Sequence, residues 1–272
     1  LPFEPAAPNL EQTMPSPFLA LSEIDYAIGP KPVLSGIDLT LEHGRIYGLV
    51  GPNGSGKSTL LKIVARQIAP KSGAIAFDGR SAADWGAREF ARHVAYMPQF
   101  TPATDGMTVR ELIALGRFPW HGTLGRFTAA DRSKVEEAIA RTELENFADR
   151  LVANMSGGER QRAWIAMMLA QDARCLLLDE PTSALDLAHQ ASVLSLVQEL
   201  SHERGLTVII VLHDINLAAR YCDAIIALNR GRITAEGTPA EIMQADKLRS
   251  IFGVGMGVFP HPVRNEPVSY LL

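Results

Sequence analysis

Apolar and polar positions alternate with period two over Ile37-Asp38-Leu39-Thr40-Leu41-Glu42, the pattern of a strand with one buried face. His43-Gly44 turns the chain into Arg45-Ile46-Tyr47-Gly48-Leu49-Val50, a short apolar strand, and Leu60–Ala65 then reads as a helix. Ala74–Phe77 followed by Asp78-Gly79 predicts a further strand closed by a tight turn. From about Thr108 to Leu151 the character becomes helical. Thr108-Val109-Arg110-Glu111 has the spacing of a capping box and opens one helix. Ala129-Ala130-Asp131-Arg132 opens another that runs towards Leu144, with Gly116–Gly122 between them as an aromatic loop. Apolar strands return at Cys175–Leu178 and Thr207–Leu212, with helices around Ala188–Glu203 and Ile215–Tyr221. Strands alternating with helices imply parallel pairing. The expectation is an α/β fold: a parallel-sheet core, an antiparallel β-subdomain from the strands on either side of the first helix, and an α-helical subdomain over about 100–158.

Between the strand Arg45–Val50 and its helix lie Gly51-Pro52-Asn53-Gly54-Ser55-Gly56-Lys57-Ser58, then Thr59, a complete G-x-x-x-x-G-K-[ST] phosphate loop. Glycines leave room for backbone N–H groups to wrap phosphate oxygens, and the helix points its positive end at them. Lys57 can reach β- and γ-phosphates, and the Ser58 hydroxyl can ligate Mg²⁺. A Gly/Ser-rich loop alone is an ordinary turn; strand, loop, lysine and helix together identify a nucleotide site.

The buried strand Cys175–Leu178 ends in Asp179-Glu180-Pro181. A strand-end aspartate of this kind holds Mg²⁺ in phosphoryl-transfer proteins, which makes Asp179 the candidate. Glu180 is placed to orient an attacking water or accept its proton. Ser156-Gly157-Gly158-Glu159 precedes an apolar helix and has two readings: a plain capping box, or a helix start whose N–H groups are left open to an anion by the two glycines.

In this order, these motifs resemble the nucleotide-binding subunits of ABC (ATP-binding cassette) transporters over roughly Phe18 to Gln244. The signature L-S-G-G-Q of that family stands here as Met155-Ser156-Gly157-Gly158-Glu159. The resemblance implies a P-loop NTPase (RecA-like) fold, with 18–245 as the ATPase domain, 1–17 as a flexible Pro-rich arm and 246–272 as a C-terminal extension. It implies ATP and Mg²⁺ as cofactors and assigns further positions. Tyr26 would stack on adenine, or be an ordinary strand tyrosine. Gln99, after Tyr96-Met97-Pro98, would reach Mg²⁺ and the attacking water. Ser183–Asp186 would be a dimer-contacting loop, and His213 would contact the γ-phosphate. Two such chains would pack head to tail, each ATP lying between one phosphate loop and the other chain's Ser156–Glu159. The helical stretch 100–155 would dock a separate integral membrane permease, itself served by a substrate-binding protein. Phe118, Trp120 and Phe127 would belong to that surface or pack inside the subdomain. Among importers the resemblance is to the iron-siderophore and cobalamin group, especially ferric-hydroxamate ATPases. The residues carrying it are Val109–Leu112, Gly116–Gly122, Ser156–Glu159 and Leu212-His213-Asp214-Ile215-Asn216. The alternatives are cobalamin or haem import and a soluble ABC ATPase of iron–sulfur cluster assembly.

Composition changes this picture little. With 272 residues, 47% of them hydrophobic, a sizeable core is available. A net charge of −4 without a Lys/Arg run argues against a nucleic-acid partner. Cys175 and Cys222, far apart in apolar surroundings, are expected to be buried reduced thiols. Leu1–Pro17 carries five prolines and no signal-peptide pattern, and no stretch reaches the ~18–20 apolar residues that span a bilayer. Membrane association is therefore expected through a partner, which the resemblance places at the cytoplasmic face of a bacterial inner membrane.

Overall fold

The computed structural model of the chain describes residues 16–104, 106–123 and 125–272; the arm expected over 1–17 lies outside them up to residue 15. Strands β1 (Leu19–Ile28), β2 (Lys31–Leu41) and β3 (Ile46–Val50) lead into helix α1 (Lys57–Val64). Then follow β4 (Ser72–Phe77), β5 (Arg80–Ser81), α2 (Ala87–His93) and β6 (Val94–Met97). A helical stretch comprises α3 (Val109–Leu115), α4 (Phe118–His121), α5 (Ala129–Arg141) and α6 (Gly157–Ala170). The chain continues through β7 (Cys175–Leu178), α7 (Leu187–Arg204), β8 (Thr207–Val211), α8 (Ile215–Tyr221), β9 (Ala224–Asn229) and β10 (Arg232–Gly237). It ends in α9 (Pro239–Ile242), α10 (Ala245–Phe252) and the strands β11 (Met256–Pro260) and β12 (Pro267–Leu271).

A six-stranded sheet of order β10-β9-β3-β8-β7-β6 is parallel except for β10, which runs antiparallel to β9. The antiparallel sheet β2-β1-β4-β5 brings together the strands on either side of α1, as the alternation in 37–42 and the Asp78-Gly79 turn imply. The central strands are continuously apolar because both of their faces are covered. In β8, Val208 and Ile210 enter the core under the helical layer, while Ile209 and Val211 enter the core facing the antiparallel sheet. In β7, Leu176 and Leu178 divide from Cys175 and Leu177 in the same way. The two cysteines are free, buried and in different cores, and burial pushes both thiols up, so they stay protonated.

One reading needs correction and one open choice is narrowed. The segment expected as an aromatic loop contains the short helix α4, with proline in its first turn where the missing N–H costs nothing. Phe118, Trp120 and Phe127 are 50%, 38% and 44% exposed, so none packs inside the helical layer. Trp120 lies instead against the guanidinium groups of Arg92 and Arg117, each 4.9 Å from its ring centre, and its indole N–H donates to Gln171 O. Beneath it Arg117 and Asp131 form a buried ion pair at 2.9 Å, and the Asp131 carboxylate also accepts the N–H of Thr128, the N-cap of α5, at 2.9 Å. Charge pairing and capping hold the Asp131 carboxyl down to about 2 against the opposing effect of burial.

Candidate active site

The phosphate loop links the end of β3 to α1 and is held by tight backbone packing. Gly51 has φ 139°, and a Cβ there would lie 1.9 Å from Leu228 O on β9, so only glycine fits. Gly56, in the left-handed region at φ 106°, precedes the first turn of α1. Ser55 O accepts the N–H of Gly231 from the β9–β10 turn at 3.0 Å. Asn53 and Gly54 form an exposed tip, while Pro52, Ser58 and Thr59 are half-buried.

Lys57 is 5% exposed, and its ammonium donates to Gly51 O at 2.9 Å and Pro52 O at 3.0 Å. Burial lowers its pKa, opposed by the charges of Glu180 and Asp179. Its two acceptors are neutral carbonyls, and among the described residues no carboxylate pairs directly with the buried ammonium. Ser55 Oγ is also buried, with no hydrogen-bond partner among the described residues. A buried cation and an orphaned hydroxyl beside open N–H groups fit a bound phosphate.

At the end of β7 Asp179 is 2% exposed and accepts from Ser58 Oγ at 2.8 Å. Tyr96 Oη lies 3.5 Å from its other oxygen. Burial pushes the Asp179 carboxyl up and the Glu180 charge adds to this, against the pull of Ser58, Lys62 and Tyr96. A desolvated carboxylate with hydroxyl partners fits a hard divalent cation. No group of three or more His, Cys, Asp or Glu side chains is preassembled for a metal among the described residues.

A test of this balance follows from its sign. The folded state disfavours ionised Asp179, so the penalty is full above the folded pKa and vanishes below the unfolded one. Asp179→Asn is expected to raise the thermal midpoint of the ligand-free protein at neutral pH, by about 2–4 °C per kcal/mol relieved. That gain should shrink as pH falls towards about 3.9. Thermal melts at the two pH values check it; an equal gain at both would show that charge is not the cause.

Sheet register assembles the rest of the site. β6 and β7 pair in parallel with Met97 opposite Leu178, which carries Gln99 and Glu180, two residues further on, side by side. β7 and β8 pair with Leu178 opposite Ile210, bringing His213 to the same edge. Glu180 Oε2 accepts from Gln99 Nε2 at 2.5 Å and lies 2.7 Å from His213 Nε2. Glu180 itself adopts the left-handed backbone (φ 53°), a conformation costing an L residue on the order of 1–3 kcal/mol. Lys57, Ser58, Gln99, Asp179, Glu180 and His213 thus gather along the carboxyl ends of four strands, where open α/β sheets bind ligands.

The other assigned residues form a second cluster. Ser156 caps α6, accepting the N–H of Glu159, whose carboxylate takes the N–H of Ser156 at 2.8 Å. The capping box is therefore realised, and these contacts hold the Glu159 carboxyl below its usual range. Gly157 and Gly158, in the first turn, have N–H groups with no intrahelical partner. Gly158 lies so close to α7 that a Cβ would meet the His189 ring at 2.2 Å. Asp186 caps α7 and holds the same His189 through Nδ1 at 2.8 Å. Gly157 and Gly158 thus abut the Ser183–Asp186 loop and the start of α7, and the chain Glu180–Asp186 connects the two clusters. Tyr26 is half-buried on β1 opposite Leu34, whose side chain packs beside Gly56.

Sequence reasoning missed Tyr96. Burial and the Asp179 charge push its phenol well up, so it remains a donor towards that carboxylate. Its signal was the short run Val94–Met97, a strand by composition but overshadowed by the Pro98-Gln99 loop after it. The strand β9 and its turn, which support the phosphate loop, were likewise not read.

Comparison with known proteins identifies the family and the fold. The family model described as ABC transporter matches residues 34–183. The iron(3+)-hydroxamate import ATP-binding protein FhuC of Bacillus subtilis is 38% identical, covering 92% of this chain and 93% of its own. The hemin import ATP-binding protein HmuV of Streptomyces coelicolor is 42% identical, covering 96% and 90%. Among solved structures, an inward-facing putative metal-chelate type ABC transporter superposes with TM-score 0.82 at 25% identity, over 94% of this chain and 97% of that one. A dimeric ATP-binding cassette in a post-hydrolysis state with ADP and phosphate superposes with TM-score 0.70 at 29% identity, over 81% and 98%. Phosphate loop, strand-end acids, fold and likeness over about nine-tenths of the chain lead to one assignment: the chain belongs to the ABC transporter family, as one of its ATPase subunits.

Proposed function

We propose that this chain powers import of an iron(III)-siderophore of the hydroxamate type through a separate integral membrane permease. The observation that carries the ATPase part is Glu180, held through one oxygen by Gln99 and His213 beside the Lys57 loop. Likeness to an iron(3+)-hydroxamate import protein supports the cargo, and the higher identity to a hemin import protein keeps haem as the second reading. No helix among the described residues is long and apolar enough to cross a membrane. The chain would sit peripherally at the cytoplasmic face, docked through its helical subdomain (about 100–158), where Phe118, Trp120 and Phe127 are exposed. A substrate-binding protein would act only through the permease.

In this reading the phosphate loop Gly51–Thr59 wraps the triphosphate, Tyr26 stacks on adenine, and the Lys57 ammonium faces the β- and γ-oxygens. Ser58 and Asp179, with Gln99 near by, would hold Mg²⁺, which supplies charge neutralisation at the phosphates when bound. Glu180 takes the proton of the attacking water, while Gln99 and His213 fix the carboxylate that receives it. Ser156, Gly157, Gly158 and Glu159 of a second copy, with Asp186 at the contact, complete each site head to tail. ATP then favours the closed pair because its γ-phosphate touches both halves only when they are closed.

Reconstitution with the permease tests the cargo. Radioiron presented as a ferric hydroxamate should accumulate in proteoliposomes only with ATP on the side of this chain. Uptake of haem alone would move the assignment to the second reading. Purification with a water-soluble scaffold and no permease would remove transport altogether.

A further inference from the structure

His213 stands on the short link between β8 and α8, and α8 has only seven residues. So short a helix is not stable by itself, so its first turn must be held from outside if His213 is to keep its 2.7 Å contact with Glu180. Asp214 caps the helix, its carboxylate accepting the N–H of Asn216 at 2.7 Å. Asn216 then uses its whole side chain on one residue of the C-terminal hairpin. Its Oδ1 accepts from Ser269 N at 2.7 Å and from Ser269 Oγ at 3.0 Å, and its Nδ2 donates to Ser269 O at 3.1 Å. Ser269 is 6% exposed and Asn216 is half-buried, so these bonds are partly sheltered from water.

The hairpin is itself a fixed body. Leu248 and Ile251 of α10 are fully buried in the main core, and Asn229 Nδ2 donates to Ile251 O at 3.1 Å. Met256 and Val258 of β11 pack against the same core. His213 and Asp214 line one recess together with Phe252, Met256 and Tyr270, so hairpin and histidine face each other.

We propose that Asn216 is a positioning residue for hydrolysis: by clamping the first turn of α8 to Ser269, it sets where His213 meets Glu180. The extension 246–272 is then a working part of the ATPase. This rests on Glu180 as the base with His213 as its partner, and the test separates the two claims.

ATP hydrolysis is measured on the full chain for Asn216→Ala, His213→Ala and the double variant, with folding checked by circular dichroism. Asn216→Ala should lower kcat about ten- to hundredfold, since small misplacement of a reacting group costs that much. KM for ATP should change less than about twofold, because the loss is confined to the chemical step. In the His213→Ala background the same substitution should have almost no further effect, a non-additivity that general destabilisation would not produce. Should Asn216→Ala fail to fold, Asn216→Asp decides: it keeps the acceptor for Ser269 N and Oγ, loses one bond, and should fall between wild type and His213→Ala. Normal kcat, or an effect that simply multiplies that of His213→Ala, overturns the clamp while leaving the base in place. Normal hydrolysis by His213→Ala would remove both.

Discussion

Glu180→Gln is expected to cut ATP hydrolysis about 10²–10⁴-fold, the usual worth of a positioned general base. Nucleotide affinity should survive. The amide keeps an oxygen that can accept from Gln99 and His213, which hold the carboxylate at 2.5 and 2.7 Å, so the geometry of the edge is conserved. What is lost is the site that takes the proton. With ATP bound and unable to turn over, the head-to-tail pair should accumulate, because the γ-phosphate contact that favours closure is never removed. Phosphate release measures the first effect, and light scattering with and without ATP measures the second. Hydrolysis within a few-fold of wild type would move the base elsewhere.

Lys57→Ala should weaken ATP binding by one to two orders of magnitude, since a hydrogen bond to a charged group contributes about 1.5–3 kcal/mol. The fold should tolerate the change. Among the described residues the buried ammonium has the carbonyls of Gly51 and Pro52 as hydrogen-bond partners, and burial lowers its pKa, so the ligand-free protein gains little from the charge. The loop is shaped by its glycines, above all by Gly51 against Leu228 O, and not by the lysine. Titration with a fluorescent ATP analogue reads the affinity, and a thermal melt confirms that the loop remains folded. Undiminished affinity would mean that the buried cation does not face the phosphates.

Residues whose partners lie a few positions away were legible from order alone. The phosphate loop is a contiguous motif, and the Thr108–Glu111 and Ser156–Glu159 capping boxes satisfy their own backbone groups within one helical turn. The exposure of Trp120 was not legible. Its position depends on Arg92, Arg117 and the carbonyl of Gln171, which come from three separate elements. Nor was Tyr96, whose importance arises only from a neighbour 83 positions away.

The amino-acid order by itself determined that the chain carries a nucleotide loop, strand-end acids and alternating strands and helices, because hydrogen-bond satisfaction and hydrophobic period are local properties. Only the tertiary structure decided which strands are neighbours. Hydrophobic burial rewards any arrangement that hides the apolar runs, so it carries no address; parallel register does. That register sets Gln99, Glu180 and His213 on one edge across separations of 81 and 33 positions. It also leaves the C-terminal hairpin seated on α8, with Ser269 in the grasp of Asn216.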